Sequence, residues 1–269
     1  MGRYSADDIR ALVKEGRIHR KVFLDPELIE LEMECIFGRT WVFIAHDSQV
    51  PNVGDFFCTR IGRQPVVVVR HTDQKVYVQF NRCAHRGAMV VNEEEGNARR
   101  FQCLYHRWTY HTDGRVAGVP LHSDYPEGFD ILKDANYGML RVPRVDSYRG
   151  FVFACLAREG PGLLAYLGGA RQGIDDLVGG APDGEIEFAG GCHRYAYAGN
   201  WKHELRTSPT RIMWWPCMPP PSPPMASSFS DGAGRRAAGQ PSWTTRARRR
   251  SSSGSGWRRI RMAILRLKP

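Results

Sequence analysis

Histidine stops early in this chain. Nine histidines occur among its 269 residues and none follows His203, so the last quarter holds no imidazole for metal binding or proton transfer. Acids are as scarce there, Asp231 being the only Asp or Glu after Glu204. No apolar run approaches the about 18 residues of a membrane-spanning helix, and Met1–Arg20 is polar and charged, unlike a secretory signal. No membrane partner is expected, and a cytoplasmic, reducing compartment is the expectation. Cysteine is sparse and odd in number, seven in all, which argues against a disulfide framework. Cys35, Cys58, Cys155 and Cys192 are expected to be plain buried thiols.

Net charge is also missing where it would matter. The chain carries +10, but residues 206–269 hold thirteen Lys/Arg against one acid, while the first 205 residues hold twenty-five bases and twenty-seven acids. The basicity therefore belongs to the tail. Arg246, Arg248, Arg249, Arg250, Arg258 and Arg259 could neutralise phosphates, yet no nucleic-acid-binding module accompanies them, and no nucleic-acid partner is expected. The tail also holds nine of the seventeen prolines and clusters of Ser and Arg without helical or strand periodicity. By composition it is disordered.

The chain opens with signals for two short helices. Ser5 and Asp8 make a capping-box-like start ahead of Ile9, Leu12 and Val13. Asp25-Pro26 reads as an N-cap with proline at the first helical position, Gly38 as a stop, and Leu28, Leu31, Cys35 and Ile36 as one apolar face. From Trp41 the pattern becomes β. Phe56 to Ile61, Pro65 to Arg70 and Val76 to Phe80 are short β-branched and aromatic runs, and Asp113-Gly114 marks the turn of a hairpin from Thr109 to Val119. Tyr148 to Ala154 reads as the last strand of this all-β unit. A helix follows over Leu163 to Val178, then a strand over Glu185 to Gly199.

Two loops leaving strands carry the chemistry. Cys83-Ala-His85 is followed, after seventeen intervening residues, by Cys103-Leu-Tyr-His106. Two Cys-His pairs are the ligand set of a Rieske [2Fe-2S] cluster, in which two thiolates hold one iron and two imidazoles the other. Zinc competes for Cys2His2, but a zinc finger groups its cysteines in one pair and its histidines in another, whereas here each half-site mixes the two. Arg86 and Trp108 lie beside the ligands, where they would shape the local field and solvent access; a packing role alone is an equal reading for Trp108. His46, His71, His111, His122, His193 and His203 have no partner at ligand spacing and read as surface or satisfied core residues.

The motifs Phe37-Gly-Arg-Thr-Trp41, Cys83-Ala-His85-Arg86-Gly87, Cys103-Leu-Tyr105-His106-Arg-Trp108 and Asn200-Trp201-Lys202 recur in order. Over about residues 20–205 the chain resembles the alpha (large) subunits of aromatic-ring-hydroxylating dioxygenases. The resemblance implies an α+β chain: N-terminal helices over 1–40, an all-β Rieske domain over 41–156, the start of an α+β catalytic domain over 157–205, and a disordered tail over 206–269. It implies electrons from a ferredoxin or reductase, drawn ultimately from NAD(P)H, and a mononuclear Fe(II) held by two histidines and a carboxylate, where O2 attacks an aromatic substrate. It also implies an alpha trimer, often with a beta subunit. A stand-alone Rieske electron-transfer protein is the alternative.

Two departures from the family pattern stand out. Glycine usually follows the second ligand histidine; here it is Arg107. After Asn-Trp-Lys the family runs three residues, Glu-Asn, two residues, Asp, one residue, Tyr-His, four residues, His. The chain instead continues Arg206-Thr-Ser-Pro-Thr-Arg-Ile-Met-Trp-Trp-Pro-Cys-Met218, and the iron-binding motif is absent, so no catalytic residue is assigned. Reading each codon one base earlier from the last base of Leu205 permits E-N-I-A-D-A-Y-H-V-V-A-L-H, because Met and Trp have single codons ending in G. The expectation is a one-base frameshift near Leu205. Sequencing the gene should show that this frame encodes the motif; a gene in which it does not overturns the idea.

Overall fold

A computed structural model describes residues 4–126, 130–188, 192–196, 199–203, 259–263 and 266–267. The chain divides into two compact units, residues 1–193 with 261–269, and residues 194–260. The elements described from residue 4 to residue 187, with residues 266–267, belong to the first.

At the N-terminus, α1 (Ala6–Ala11) starts at a full Ser5/Asp8 capping box. A two-stranded hairpin, β1 (Val13–Lys14) and β2 (Arg17–Ile18), and a single turn α2 (Lys21–Leu24) then intervene before α3 (Pro26–Cys35). The Asp25 side chain caps α3 by accepting from Glu27 N at 3.0 Å, as the Asp-Pro signal predicts. Its apolar stripe departs from expectation. Leu28 is buried, but Cys35 and Ile36 are exposed, so Cys35 is not a core thiol. Gly38 is not a left-handed cap; a Cβ there would collide with the Glu34 carbonyl, so the glycine serves a close approach.

The β unit comprises β3 (Val42–His46), β4 (Asp55–Ile61), β5 (Gln64–Arg70), β6 (Val76–Phe80), β7 (Glu95–Asn97), β8 (Arg100–Gln102), β9 (Thr109–His111), β10 (Val116–Gly118), β11 (Arg144–Tyr148) and β12 (Phe151–Cys155). They form three antiparallel sheets, ordered β6-β5-β4-β7, β10-β9-β8 and β11-β12-β3. Strand alternation partitions their faces. In β5, Val67 and Val69 enter one core with Phe56, Phe101, Tyr110 and Cys83, while Val66 and Val68 enter a second with Phe57, Ile61 and Val152. All four valines are fully buried. Each contributes about 2 kcal/mol of apolar burial, which makes β5 the spine of the unit. β12 repeats the device: Val152 and Ala154 face the second core, and Phe151, Phe153 and Cys155 face a third beneath the helices.

The run Tyr148–Ala154 is not one strand. Tyr148 pairs with Phe151 across Arg149-Gly150, both at positive φ (51° and 81°), the geometry of a two-residue type I′ turn. The helical stretch is likewise two helices, α4 (Leu163–Leu167) and α5 (Ala170–Gly179), broken at Gly168, whose backbone (φ 49°, ψ −123°) is open only to glycine. Beyond them, β13 (Ile186–Glu187) pairs antiparallel with Arg266–Leu267. Cys192–Ala196 and Arg259–Ala263 are also strands. Where the tail is described it is therefore extended, and the alternation Arg259-Ile260-Arg261-Met262 supplies the period that the tail as a whole lacks. The remaining tail residues, including those of the shifted reading frame and Arg246 to Arg258, lie outside the described residues. No described helix is long and apolar enough to cross a membrane.

His46, at the end of β3, is a buried histidine with a structural task. Its Nδ1 lies 2.9 Å from Ser48 Oγ and accepts from Ser48 N at 3.3 Å, and Ser48 Oγ accepts from Phe188 N at 2.9 Å. The ring stacks on Phe188 and meets Phe151 edge-on. Burial lowers its pKa below 6.5, against smaller opposing effects of Asp47 and the Arg149 backbone. Unfolding lets His46 take up a proton that the fold refuses, so its contribution is complete above pH 6.5 and lost as pH falls below that value. Chemical denaturation between pH 8 and 5 should show this loss in the wild type and a shallower one in His46→Asn, which keeps the cap acceptor without titrating. Identical pH profiles would overturn the assignment.

Candidate metal centre

Both Cys-His pairs sit on loops of one construction. The first leaves β6, the second joins β8 to β9. In each, the cysteine N–H donates to the carbonyl five residues on (Cys83 to Ala88, 2.7 Å; Cys103 to Trp108, 2.9 Å). In each, the residue four positions on returns its N–H to the cysteine carbonyl (Gly87, 2.8 Å; Arg107, 3.0 Å). That fourth residue is left-handed in both loops, φ +73° at Gly87 and +56° at Arg107. Arg107 thus occupies the backbone conformation that Gly87 takes freely, at a cost of roughly 1–2 kcal/mol for an L-residue. The Arg-for-Gly departure thus falls at a position whose backbone favours glycine.

The loops place their ligand-type residues at different depths. Cys83 and Cys103 are 3% and 1% exposed, within the core that contains Phe56, Val67 and Val69. His85 and His106 are exposed, their ring centroids 4.6 Å apart in an edge-to-face arrangement. Trp108 is buried and stacks on His85 at 5.2 Å with only 9° between planes, and the Tyr137 ring lies tilted 6.4 Å from that of Trp108. Trp108, adjacent in sequence to the second Cys-His pair, thus touches His85 of the first through a ring stack. Arg86 is exposed, and its charge reaches His85. The pKa of His85 is held below the usual histidine value, first by partial desolvation, then by the neighbouring His106 and Arg86. The shift favours the neutral imidazole that a metal requires.

Two residues of the site carry no sequence motif. Tyr110 is fully buried; its hydroxyl lies 3.1 Å from Cys83 Sγ and accepts from Ala84 N at 3.1 Å. The hydroxyl can donate to the sulfur when Cys83 is a thiolate. Burial, then the bond to Cys83, pushes the phenol pKa far up, so Tyr110 remains a donor. Asn81 fixes the first loop from below: its Nδ2 donates to Val91 O at 2.7 Å, and its Oδ1 accepts from Val90 N and Val91 N at 3.0 and 2.9 Å. The only advance signal for either was position, Tyr110 four residues after His106 and Asn81 two before Cys83.

No three His, Cys, Asp or Glu side chains among the described residues gather as they would around one metal ion. A binuclear cluster asks for something different, two ligands per iron. Two buried thiols and two outward imidazoles on matched loops fit that division, and a single zinc ion fits it poorly. His71, His111 and His122 lie elsewhere: His71 Nδ1 meets Thr112 Oγ1 at 2.6 Å. His203 is exposed, and the side chain of His193 lies outside the described residues.

Comparison with known proteins agrees with the loop chemistry. The Rieske [2Fe-2S] domain family matches residues 40–138. The chain is 41% identical over 187 residues to the anthranilate 1,2-dioxygenase large subunit of Acinetobacter baylyi, covering 69% of this chain and 39% of that protein. It is 37% identical to the toluate 1,2-dioxygenase subunit alpha of Pseudomonas putida, covering 74% and 45% respectively. Among solved structures, naphthalene 1,2-dioxygenase from Rhodococcus sp. bound to indole matches with a TM-score of 0.67 and 30% identity, over 81% of this chain and 50% of that one. The chain spans about two-fifths of the length of these curated relatives. It contains a Rieske [2Fe-2S] domain over residues 40–138 and is similar, over the part they share, to the large subunits of aromatic-ring-hydroxylating dioxygenases.

Proposed function

We propose that Cys83, His85, Cys103 and His106 hold one Rieske [2Fe-2S] cluster, and that the chain is the electron-accepting portion of the large subunit of an aromatic-ring-hydroxylating dioxygenase. The observation that carries this reading is the pairing of two buried cysteines beneath Tyr110 with two exposed imidazoles 4.6 Å apart. Bound there, the cluster supplies one-electron transfer at a potential above that of an all-cysteine cluster. The protein's own part is to keep the thiols dry, to donate a hydrogen bond from Tyr110 to Cys83, and to hold His85 neutral against Trp108.

The boundaries at 40, 156 and 205 are kept as our domain assignment. A ferredoxin or reductase in the cytoplasm is the electron donor, and an alpha trimer with a beta subunit is the family's arrangement for passing electrons to a mononuclear Fe(II), O2 and an aromatic substrate. The absence of histidine after His203 favours a narrower role for the chain as written, electron transfer without oxygenation.

The purified chain should contain about two irons, show the visible and low-temperature EPR signature of a reduced Rieske cluster, and form no hydroxylated product. His85→Cys and His106→Cys should each lower the reduction potential by on the order of 100 mV, since thiolate replaces neutral imidazole. Tyr110→Phe should lower it less, through loss of one hydrogen bond to sulfur. A potential unchanged in both histidine variants would remove them as ligands.

A further inference from the structure

Turns ordinarily lie at the surface, yet the turn of the β9–β10 hairpin is inside the protein. Thr112 and Asp113 are 3% and 5% exposed, and Gly114 is buried with them. The β5–β6 turn, Thr72 to Lys75, is by contrast exposed throughout. Backbone groups taken out of water must find partners, and all three carbonyls of the buried turn find them outside the hairpin. Thr112 O accepts from Gln79 Nε2 at 2.5 Å, Asp113 O from Arg141 Nε at 2.7 Å, and Gly114 O from Met139 N at 2.8 Å. Two glycines let the backbones meet. A Cβ on Gly114 would lie 2.8 Å from Met139 O, and one on Gly138 would lie 2.7 Å from Gly114 O. Of the six buried polar or charged residues among those described, Gln79, Thr112 and Asp113 gather at this one contact.

Gln79 is the member that its own strand does not call for. Its cross-strand partner on β5 is Val67, so it stands on the face that points into the core of Cys83 and Cys103. An amide there costs free energy unless it is hydrogen-bonded. Its bond to Thr112 joins β6 to the β9–β10 hairpin, which belong to different sheets. β6 runs into the first Cys-His loop, and β9 leaves the second. Cys83 comes four residues after Gln79, and Tyr110 two before Thr112. The Tyr110 hydroxyl lies 3.1 Å from both Cys83 Sγ and Ala84 N. The two segments are therefore tied twice, once at the turn and once at the sulfur. A hydrogen bond already 3.1 Å long tolerates little further sliding of one segment along the other. The tie at the turn is what limits that slide.

We infer that the buried turn is a positioning device for the metal centre: Gln79 and Arg141, by holding Thr112 and Asp113, set the reach of the Tyr110 hydroxyl to Cys83 Sγ and so tune the reduction potential. Neither belongs to the Cys-His loops, and both act through Tyr110. A hydrogen bond to a ligand sulfur favours the reduced, more negative centre, so lengthening it lowers the potential. The inference rests on the cluster proposed above, whose potential is its readout.

The test is the midpoint reduction potential of the full chain carrying its cluster, in a cycle of wild type, Tyr110→Phe, Gln79→Met and the double variant. Methionine nearly keeps the volume of glutamine and removes the amide. Gln79→Met should lower the potential by about half the shift of Tyr110→Phe, because the other ties of the turn still hold it in part. In the Tyr110→Phe background the same substitution should move the potential by less than about a fifth of that shift, since the bond it acts through is gone. Arg141→Met, at a half-exposed side chain, runs the same cycle from the other side of the turn. Loss of its charge moves both backgrounds alike and drops out, leaving the part carried by Tyr110.

Potentials unchanged in both Gln79→Met and Arg141→Met overturn the inference. Equal shifts with and without the Tyr110 hydroxyl also overturn it, marking an effect of packing or field that bypasses Tyr110. If Gln79→Met does not fold, the Arg141 cycle alone decides between these outcomes. Thermal melting is recorded beside each potential. A lowered melting midpoint with an unshifted potential marks a merely structural turn and counts against the inference. The visible spectrum separates this inference from the reading it rests on. A missing cluster signature in the wild type defeats the Rieske assignment and the inference with it, whereas a normal signature with additive shifts defeats the inference alone.

Discussion

Everything in the site depends on a sheet whose two faces are both dry. Val66 to Val69 are buried on alternating sides of β5, so one strand backs two cores at once. The forward core is the floor on which Cys83 and Cys103 rest, and the rear core ties that floor to β12 and, through its far face, to α4 and α5. A thiol in water can swing between rotamers and oxidise. A thiol packed among Phe56, Val67, Val69 and Tyr110 has a fixed direction and a low-dielectric surrounding, in which the Tyr110 hydrogen bond counts for more than it would at a surface. The position of the sulfurs is set by the valines behind them as much as by the loops that bear them.

The loops then solve one geometric problem twice. Each must turn back within five residues, keep its cysteine inside and put its histidine outside. The pair of backbone hydrogen bonds across each loop does this, and it obliges the fourth residue after the cysteine to be left-handed. Gly87 satisfies that demand without cost, and its absent Cβ would have met nothing within 4 Å, so the requirement is one of φ and not of space. Arg107 satisfies the same demand against its own steric preference. Sequence spacing alone, two residues from Cys83 to His85 and three from Cys103 to His106, conceals the equivalence. The shared frame runs through 83, 87 and 88 in one loop and 103, 107 and 108 in the other, and the two histidines sit at different steps on it.

That frame also explains how much could be read in advance. Ligand-type residues are legible because their chemistry is rare: few sequences place Cys and His together twice. Strands β4, β5, β6 and the β9–β10 hairpin are legible because their apolar runs end at turn residues such as Asp113-Gly114. Tyr110 and Asn81 were not, because a buried tyrosine or asparagine is defined by what lies across from it, and the carbonyl of Val91 and the sulfur of Cys83 are ten and twenty-seven residues away in sequence. The Arg149-Gly150 turn hid because an arginine at positive φ is not a turn signal in composition, although a type I′ hairpin needs only the geometry. The break at Gly168 hid for the opposite reason, since glycine is tolerated inside helices and its composition does not reveal that its backbone leaves the helical region. Cys35 misled because helical spacing puts it one turn from Leu31, yet α3 ends at that residue and the core does not extend beneath its last turn.

The contacts that build the site all come from one stretch of chain. Asn81, Tyr110, Trp108, Tyr137 and Met139 supply its hydrogen bonds, stacking and cover, and Phe56, Val67 and Val69 supply its floor. Residues 56–139 therefore hold its machinery, with the departure from the family motif after Leu205 far outside it. The three cores are connected through shared strands, so damage far along the chain reaches the site only by loosening β12 from the helices, then β4 and β5 from β12. Each step is buffered by a strand buried on both faces. The surroundings of the two loops are therefore self-contained, since no described side chain that packs or hydrogen-bonds there comes from beyond residue 139.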